Sequence, residues 1–363
     1  MQFTSLSLIV CALGLLQAGT LPERRGVETG TFKERAPESR NRLLEPQPVH
    51  QDATGSCEQM LLALDGAPEG GFGAIWMDTR QGNLGLYLGL VGKDGAVRGE
   101  EVPLYPSMGT ARQLQPDLAF TDGLEGMVCW RSGIVSKLPI QVRRFGSAPG
   151  FPAAPMEFGE APAAEDIDPK ARVGSGDRGG RGERGAEPRV AALGDGACIV
   201  AWTQADAVLA QHFDAERRPV GQVTDLDPRG ASPTGSLRTS ADGAGHALVA
   251  WPTADGLRVW IGAPGKRAVR EAAGTGRLLD VAHDPTGGWW LLVQPKSGEA
   301  VLRHLDERGV GDREDRALPG RLIDRTTKEG RWTSIELCTW KYGVAVCATS
   351  VRDKHPVRVM FLG

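Results

Sequence analysis

"GACIVAWTQADAVLAQHFDAERRPVG", residues 196–221, decides the fold. A short apolar run ends at Trp202, a polar turn follows, a second apolar run ends at Phe213, and another polar turn closes the unit. Apolar runs this short, bounded by turn residues, read as strands. The pattern recurs in "GFGAIWMDTRQGNLGLYLGLVGKDG", "EGMVCWRSGIVSKLPIQVRRFGS", "AGHALVAWPTADGLRVWIGAPGK", "GGWWLLVQPKSGEAVLRHLDERGVG" and "YGVAVCATSVRDKHPVRVMFLG". The module is one of six copies. A tryptophan marks it at Trp76, Trp130, Trp202, Trp251 and Trp290, and Val346 stands there in the sixth. A strand precedes each copy: "QMLLALDG", "QPDLAFTDG", "PRVAALGDG", "GSLRTSADG", "LLDVAHDPTG" and "WTSIELCTW". Most of these end in Asp-Gly or a similar pair, a hairpin signal. A weaker fourth strand follows most copies, as in "EEVPLYP", "APMEFGE" and "GQVTDLD".

Four antiparallel strands repeating at roughly 40–55 residues are the pattern of a propeller blade. One twisted four-stranded sheet cannot bury both faces, whereas sheets packed around an axis do and keep their edges short. Leu84, Leu86, Leu88 and Leu90 alternate with Gly and Tyr, as a strand between two blades requires. The expected fold is therefore all-β: a six-bladed β-propeller with four-stranded antiparallel blades over residues 41–363. The sixth copy stops after its third strand, so "NRLLEPQP", residues 41–48, is expected to supply the fourth and close the ring.

The first 19 residues carry no charge and hold an apolar run from Leu6 to Leu16, too short to span a bilayer. They read as a signal peptide, and a secreted or periplasmic location follows. Cys11 lies within that run; a membrane-anchored lipoprotein is the alternative. Residues 20–40 lack periodicity and read as a disordered lead-in. Residues 161–187 read as a charged, glycine-rich insertion between the second and third copies. A formal net charge of −3 gives no field that would draw nucleic acid. Removal of the leader leaves Cys57, Cys129, Cys198, Cys338 and Cys347, an odd set with no C-x-x-C spacing and no readable pairing. No segment reads as transmembrane.

"AIWMDTR", "GLVGKDG" and "QHFDAERRPVG" resemble the blades of exported bacterial propeller-repeat proteins, G-x-x-hydrophobic-V-x-W-x-D-x-R followed by a hydrophobic strand and D-x-x-G. Asp78 and Arg80 occur together only in the first copy. The resemblance implies export and a propeller but no reaction, because the family is functionally mixed.

Candidate chemistry is sparse. The repeat tryptophans could offer a platform for sugar rings, but their fixed repeat position favours packing. Trp289, Trp332 and Trp340 are the better candidates for exposed contacts. A sialidase-type Asp-box is approached by "SADGAGHALVAW" from Ser240, with Ala244 where the glycine belongs and no Thr-Trp ending. A tyrosine nucleophile could only be Tyr87, Tyr105 or Tyr342, and 45 acidic residues leave no carboxylate pair to choose. His283 lies between acids in "DVAHD" and reads as a turn residue; the other histidines lack ligand spacing. No catalytic residue is assigned, and no cofactor or metal is expected. The expected function is a binding or scaffold module for a protein or glycan, acting as a monomer. The alternative is a glycoside hydrolase or lyase of sialidase-like architecture, which should gather acidic or basic residues at the mouth of the channel.

Overall fold

The computed structural model describes residues 59–78, 85–104, 112–133, 140–146, 156–158, 188–204, 206–216, 218–228, 232–263, 269–272, 275–295, 299–318, 332–340, 343–350 and 357–362. The leader, the lead-in, "NRLLEPQP" and the 161–187 insertion lie outside these. The described residues form strands and turns, with no helix among them.

The strands form six sheets, each an antiparallel meander in chain order. The first holds β1 (Gln59–Gly66), β2 (Gly71–Asp78), β3 (Gly85–Gly92) and β4 (Val97–Pro103). The second holds β5 (Arg112–Asp122), β6 (Glu125–Gly133), β7 (Ile140–Phe145) and β8 (Met156–Phe158). The third holds β9 (Arg189–Gly194), β10 (Ala197–Gln204), β11 (Ala207–Phe213) and β12 (Pro219–Asp225). The fourth holds β13 (Arg238–Ala241), β14 (Ala247–Pro252), β15 (Leu257–Gly262) and β16 (Val269–Ala272). The fifth holds β17 (Arg277–His283), β18 (Trp289–Gln294), β19 (Val301–Leu305) and β20 (Arg316–Ala317). The sixth has three described strands, β21 (Trp332–Trp340), β22 (Gly343–Ser350) and β23 (Val357–Leu362). The first strands touch one another in the order β1, β5, β9, β13, β17, β21. First strands at the centre, sheets standing face to face and outer strands such as β12 toward solvent make a β-propeller arrangement.

Local chemistry places the turns. Asp195 and Gly196 join β9 to β10, both with positive φ (49° and 76°), as the tight two-residue hairpin turn demands. Burial places the strands: β3 is buried at every position, so "GLYLGLVG" is packed on both faces.

Each junction between consecutive sheets has its own apolar cluster. Ile75, Leu88 and Phe120 join Trp130 between the first and second. Cys129 and Val142 join Trp202 between the second and third. Ile199 and Val208 join Trp251 between the third and fourth. Leu248, Val259 and Leu291 fill the fourth junction, and Leu292, Leu302 and Val346 the fifth. Phe72, Ala74 and Trp76 form a sixth buried cluster with Tyr87 and Val91 on the other face of the first sheet.

The register corrects two residues: in the sixth sheet Glu336 pairs with Cys347, so the residue at the tryptophan position is Ala348, not Val346. Trp76 and Trp251 each stand four residues after the one that opens their hairpin ladder, at Phe72 and Ala247. In the fifth sheet the ladder opens at Trp289, paired with His283, so the equivalent residue is Val293, not Trp290. Val293 packs toward the fourth sheet with Trp289 and Leu291, while Trp290 faces the sixth. Sides alternate along a strand, so an offset of three residues turns a side chain to the opposite face.

Candidate functional site

The first strands are largely apolar near their centres, yet most of them carry a charged residue at one shared register. Asp117, Arg189, Arg238 and Asp280 pair across their ladders with Cys129, Ala201, Ala250 and Leu292, the residue before the tryptophan position. Glu336 sits in β21, one residue before the Leu337 amide that Asp280 binds, just as Arg189 precedes Val190. In the first sheet the register position is Ala63, and the charge, Asp65, comes two residues later.

Four of these side chains reach the backbone of the next sheet. The Val190 amide donates to Asp117 Oδ2 at 2.8 Å, and the Leu337 amide to Asp280 Oδ2 at 2.6 Å. Arg189 Nε donates to the Leu237 carbonyl at 3.3 Å, and Arg238 Nε to the Leu279 carbonyl at 2.7 Å. Carboxylates take amide protons and guanidinium groups take carbonyls, so both signs of charge join first strands that otherwise share no ladder. One level along, the His283 amide donates to Ser240 Oγ at 3.1 Å. The Phe120 amide likewise supports Asp65.

The carboxylates crowd one another. Looser ion pairs, Arg189–Asp117 at 3.7 Å and Arg238–Asp280 at 3.9 Å, link neighbours around the axis. Burial raises Asp117 and Asp280 above the ordinary carboxylate range despite those arginines. Asp65 is pushed up to about 7, first by burial and then by the charges of Asp117 and Glu336, against the Gly66 and Phe120 amides. Glu336 also rises to about 7, through burial and the charges of Asp280 and Asp117, with Arg238 and Arg189 acting the other way. Its side chain is exposed to water, so solvent softens both the effect of burial and the repulsion. These groups come from the first strands of all six sheets.

A second polar cluster lies in the fifth sheet. Asp284, at the β17–β18 turn, accepts from the Trp290 indole at 2.9 Å and from the amide and hydroxyl of Thr286 at 2.9 and 2.8 Å. His304, 1% exposed, lies between Asp284 Oδ2 (3.1 Å from Nε2) and Asp312 Oδ1 (2.5 Å from Nδ1). Arg313 lies 3.5 Å from Asp284 and 5.6 Å from the centre of the Trp290 ring. Burial opposes the charge of Asp284, but the Thr286 and Trp290 donors and the His304 charge outweigh it and hold the carboxyl below its usual range. The hydrogen bond from His304 does the same for Asp312.

The residues singled out from the sequence fall elsewhere. Trp76, Trp130, Trp202 and Trp251 are core. Trp289, expected as an exposed contact, is 2% exposed and packs beneath His283, its ring centre 5.2 Å away. A doubled tryptophan gave no sign of which face each ring would take. The Trp332 and Trp340 side chains lie outside the described residues. Tyr87 is buried and stacked on Trp76, ring centres 6.3 Å apart. Ser240 takes part in the inter-sheet bond above, and Ala244 lines a shallow cleft with Leu193, Asp195 and Gly243 between the third and fourth sheets. Cys129 and Cys198 are buried free thiols. Sequence reasoning missed the ring and the His304 cluster. The ring had a partial signal: Asp117, Arg189 and Arg238 each stand 13 residues before the tryptophan of their copy, Trp130, Trp202 and Trp251.

No family model matches the sequence, nor does any curated protein. Among solved structures the chain is similar to the Penicillium chrysogenum alpha-L-arabinanase complexed with arabinobiose, at 14% identity over 83% of this chain and 93% of that one, TM-score 0.49. It is similar to YCF48 from Cyanidioschyzon merolae, at 14% identity over 84% and 90%, TM-score 0.42. It is also similar to a prolyl endopeptidase, at 12% identity, TM-score 0.47, with 83% of this chain covering 39% of that one. At such identities the likeness concerns the general fold alone.

Proposed function

We propose that the protein is an exported, six-bladed propeller that works as a monomeric binding or scaffold module for a protein or glycan, presenting loops of one face and the channel. One observation carries this reading. Asp117, Arg189, Arg238 and Asp280 are each engaged with the backbone of the next sheet, so the ring holds the blades together and is not free to clamp or protonate a substrate. Closure of the ring is supported by the Trp76 face, where Trp76 is 1% exposed and Tyr87 5%, as a sixth junction would make it. Residues 1–19 act as the leader, and residues 41–48 complete the last blade. Deleting residues 20–50 should then lower the Tm by several degrees, roughly the effect of a few kcal/mol in a domain of this size. Deleting 20–38 should leave it unchanged. Fusion of residues 1–19 to a reporter tests export directly.

A second reading, glycoside hydrolysis, is favoured by one feature: Asp65 and Glu336, on the first strands of the first and sixth sheets, both have carboxyls raised to about 7, and the Glu336 charge acts on Asp65. The two are separated by assaying the purified chain for saturable binding to a glycan panel and for turnover of chromogenic glycosides. Binding without turnover supports the module. Turnover abolished by Glu336→Gln overturns it in favour of the hydrolase.

A further inference from the structure

His304, in β19, is buried and meets an acceptor at each ring nitrogen. Nδ1 lies 2.5 Å from Asp312 Oδ1. Nε2 lies 3.1 Å from Asp284 Oδ2 and 3.1 Å from the Gly287 carbonyl oxygen. Both carboxyls are held below the usual range, so they are ionised and only accept. A neutral imidazole has one N–H and serves one side alone; only the imidazolium donates to both. Around the ring stand Asp284 from the β17–β18 turn, and Asp312 and Arg313 from the segment between β19 and β20. Glu307, in the turn after β19, flanks Gly287. The two sides are held unequally. Asp284 is almost enclosed and is fixed by the Trp290 indole and by the amide and hydroxyl of Thr286. Its turn is pressed onto the ring: at Gly288, φ 88°, a Cβ would come within 2.9 Å of His304 Cε1. Asp312 and the rest of residues 311–317 are exposed. Among the ties of that segment are two ladder pairs to β19, the Leu305–Gly311 bridge and the Arg303–Asp315 pair.

We propose that His304 is a proton-operated clasp: as the imidazolium it ties residues 311–317, the outer edge of the fifth sheet, to the β17–β18 turn, and on losing a proton it lets that segment go. The proton leaves Nδ1 for solvent. The remaining N–H stays on Nε2, because the enclosed Asp284 and the Gly287 carbonyl have no water to turn to. The bare Nδ1 lone pair then faces the Asp312 carboxylate, and that exposed group is taken up by water instead.

The test uses the full chain at constant ionic strength from about pH 5 to about pH 9, a range that spans imidazole titration in general. The protonation of both His304 ring nitrogens is read by 15N NMR. Opening of the segment is read by hydrogen exchange over residues 311–318, where the Leu318 amide donates to the Ala300 carbonyl at 2.9 Å, with the intrinsic effect of pH divided out. At the acid end both nitrogens should carry a proton and exchange should be slow. At the alkaline end Nδ1 should be bare and exchange roughly tenfold faster. Asp312→Ala changes only the exposed side of the clasp and should exchange fast at every pH. A ring with one proton at the acid end, or with two across the whole range, would overturn the clasp. So would wild-type exchange that is level with pH, or an Asp312→Ala chain that keeps the wild-type response.

Discussion

The fifth-sheet cluster and the channel ring use the same residue types to opposite effect. Asp284 is almost enclosed, its side chain 3% exposed, yet it keeps its charge easily because an indole, an amide, a hydroxyl and an imidazole converge on it. Asp65 has two amides for support and two other carboxylates in view, so burial wins and its carboxyl is pushed up to about 7. Burial alone does not set the outcome; the count and sign of donors around the oxygen do. One cluster binds two turns of a single sheet, the other binds separate sheets around an axis.

The largest expected effect breaks the first of these. Asp284→Ala leaves His304, the Trp290 indole and Thr286 without their shared acceptor in a buried site, and should cost about 3–5 kcal/mol by denaturant titration. A loss below about 1 kcal/mol would show that the network is ornamental.

The next sets the pH limbs against each other. The lowered Asp284 and Asp312 contribute stability above the ordinary aspartate value of 3.8, and it is lost as pH falls through their lower folded values. The raised Asp65 and Glu336 act with the opposite sign, toward neutrality. Asp284→Asn should flatten only the acid limb of a Tm profile, and Glu336→Gln only the neutral one. A variant that flattens both would merge the two regions into one electrostatic unit.

Smaller still, Asp280→Asn keeps an oxygen for the Leu337 amide but removes a charge facing Glu336. Its stability should stay within about 1 kcal/mol of wild type, while the Glu336 carboxyl midpoint moves down in a 13C titration. An unmoved midpoint would mean that burial alone holds Glu336. The smallest effect belongs to the outer pair Arg303–Asp315, at 2.6 Å, where Asp315→Asn should change stability by less than about 0.5 kcal/mol in chemical denaturation.

Much of the fold was legible in the sequence because its signals are local. Asp195-Gly196 states its turn, "ACIVAW" states its strand, and six recurrences state the repeat. The strands expected around "EEVPLYP", "APMEFGE" and "GQVTDLD" correspond to β4, β8 and β12. Trp290 was misplaced because the tryptophan letter matched while the ladder's starting point, set by the length of the 284–288 turn, did not. His304 looked like a scattered histidine because its partners, Asp284 and Asp312, come from different turns.

By itself, then, the sequence determined which segments are strands, where they turn, and that one unit is repeated six times. Alternation and turn chemistry act over a few residues. The tertiary structure alone decided which charges meet. Asp65, Asp117, Arg189, Arg238, Asp280 and Glu336 lie in separate sheets, and each is an ordinary polar residue along its own strand. Only the packing of first strands around an axis shortens the distances between them until they share a field, and Coulomb interaction and burial then set which of them keep a proton.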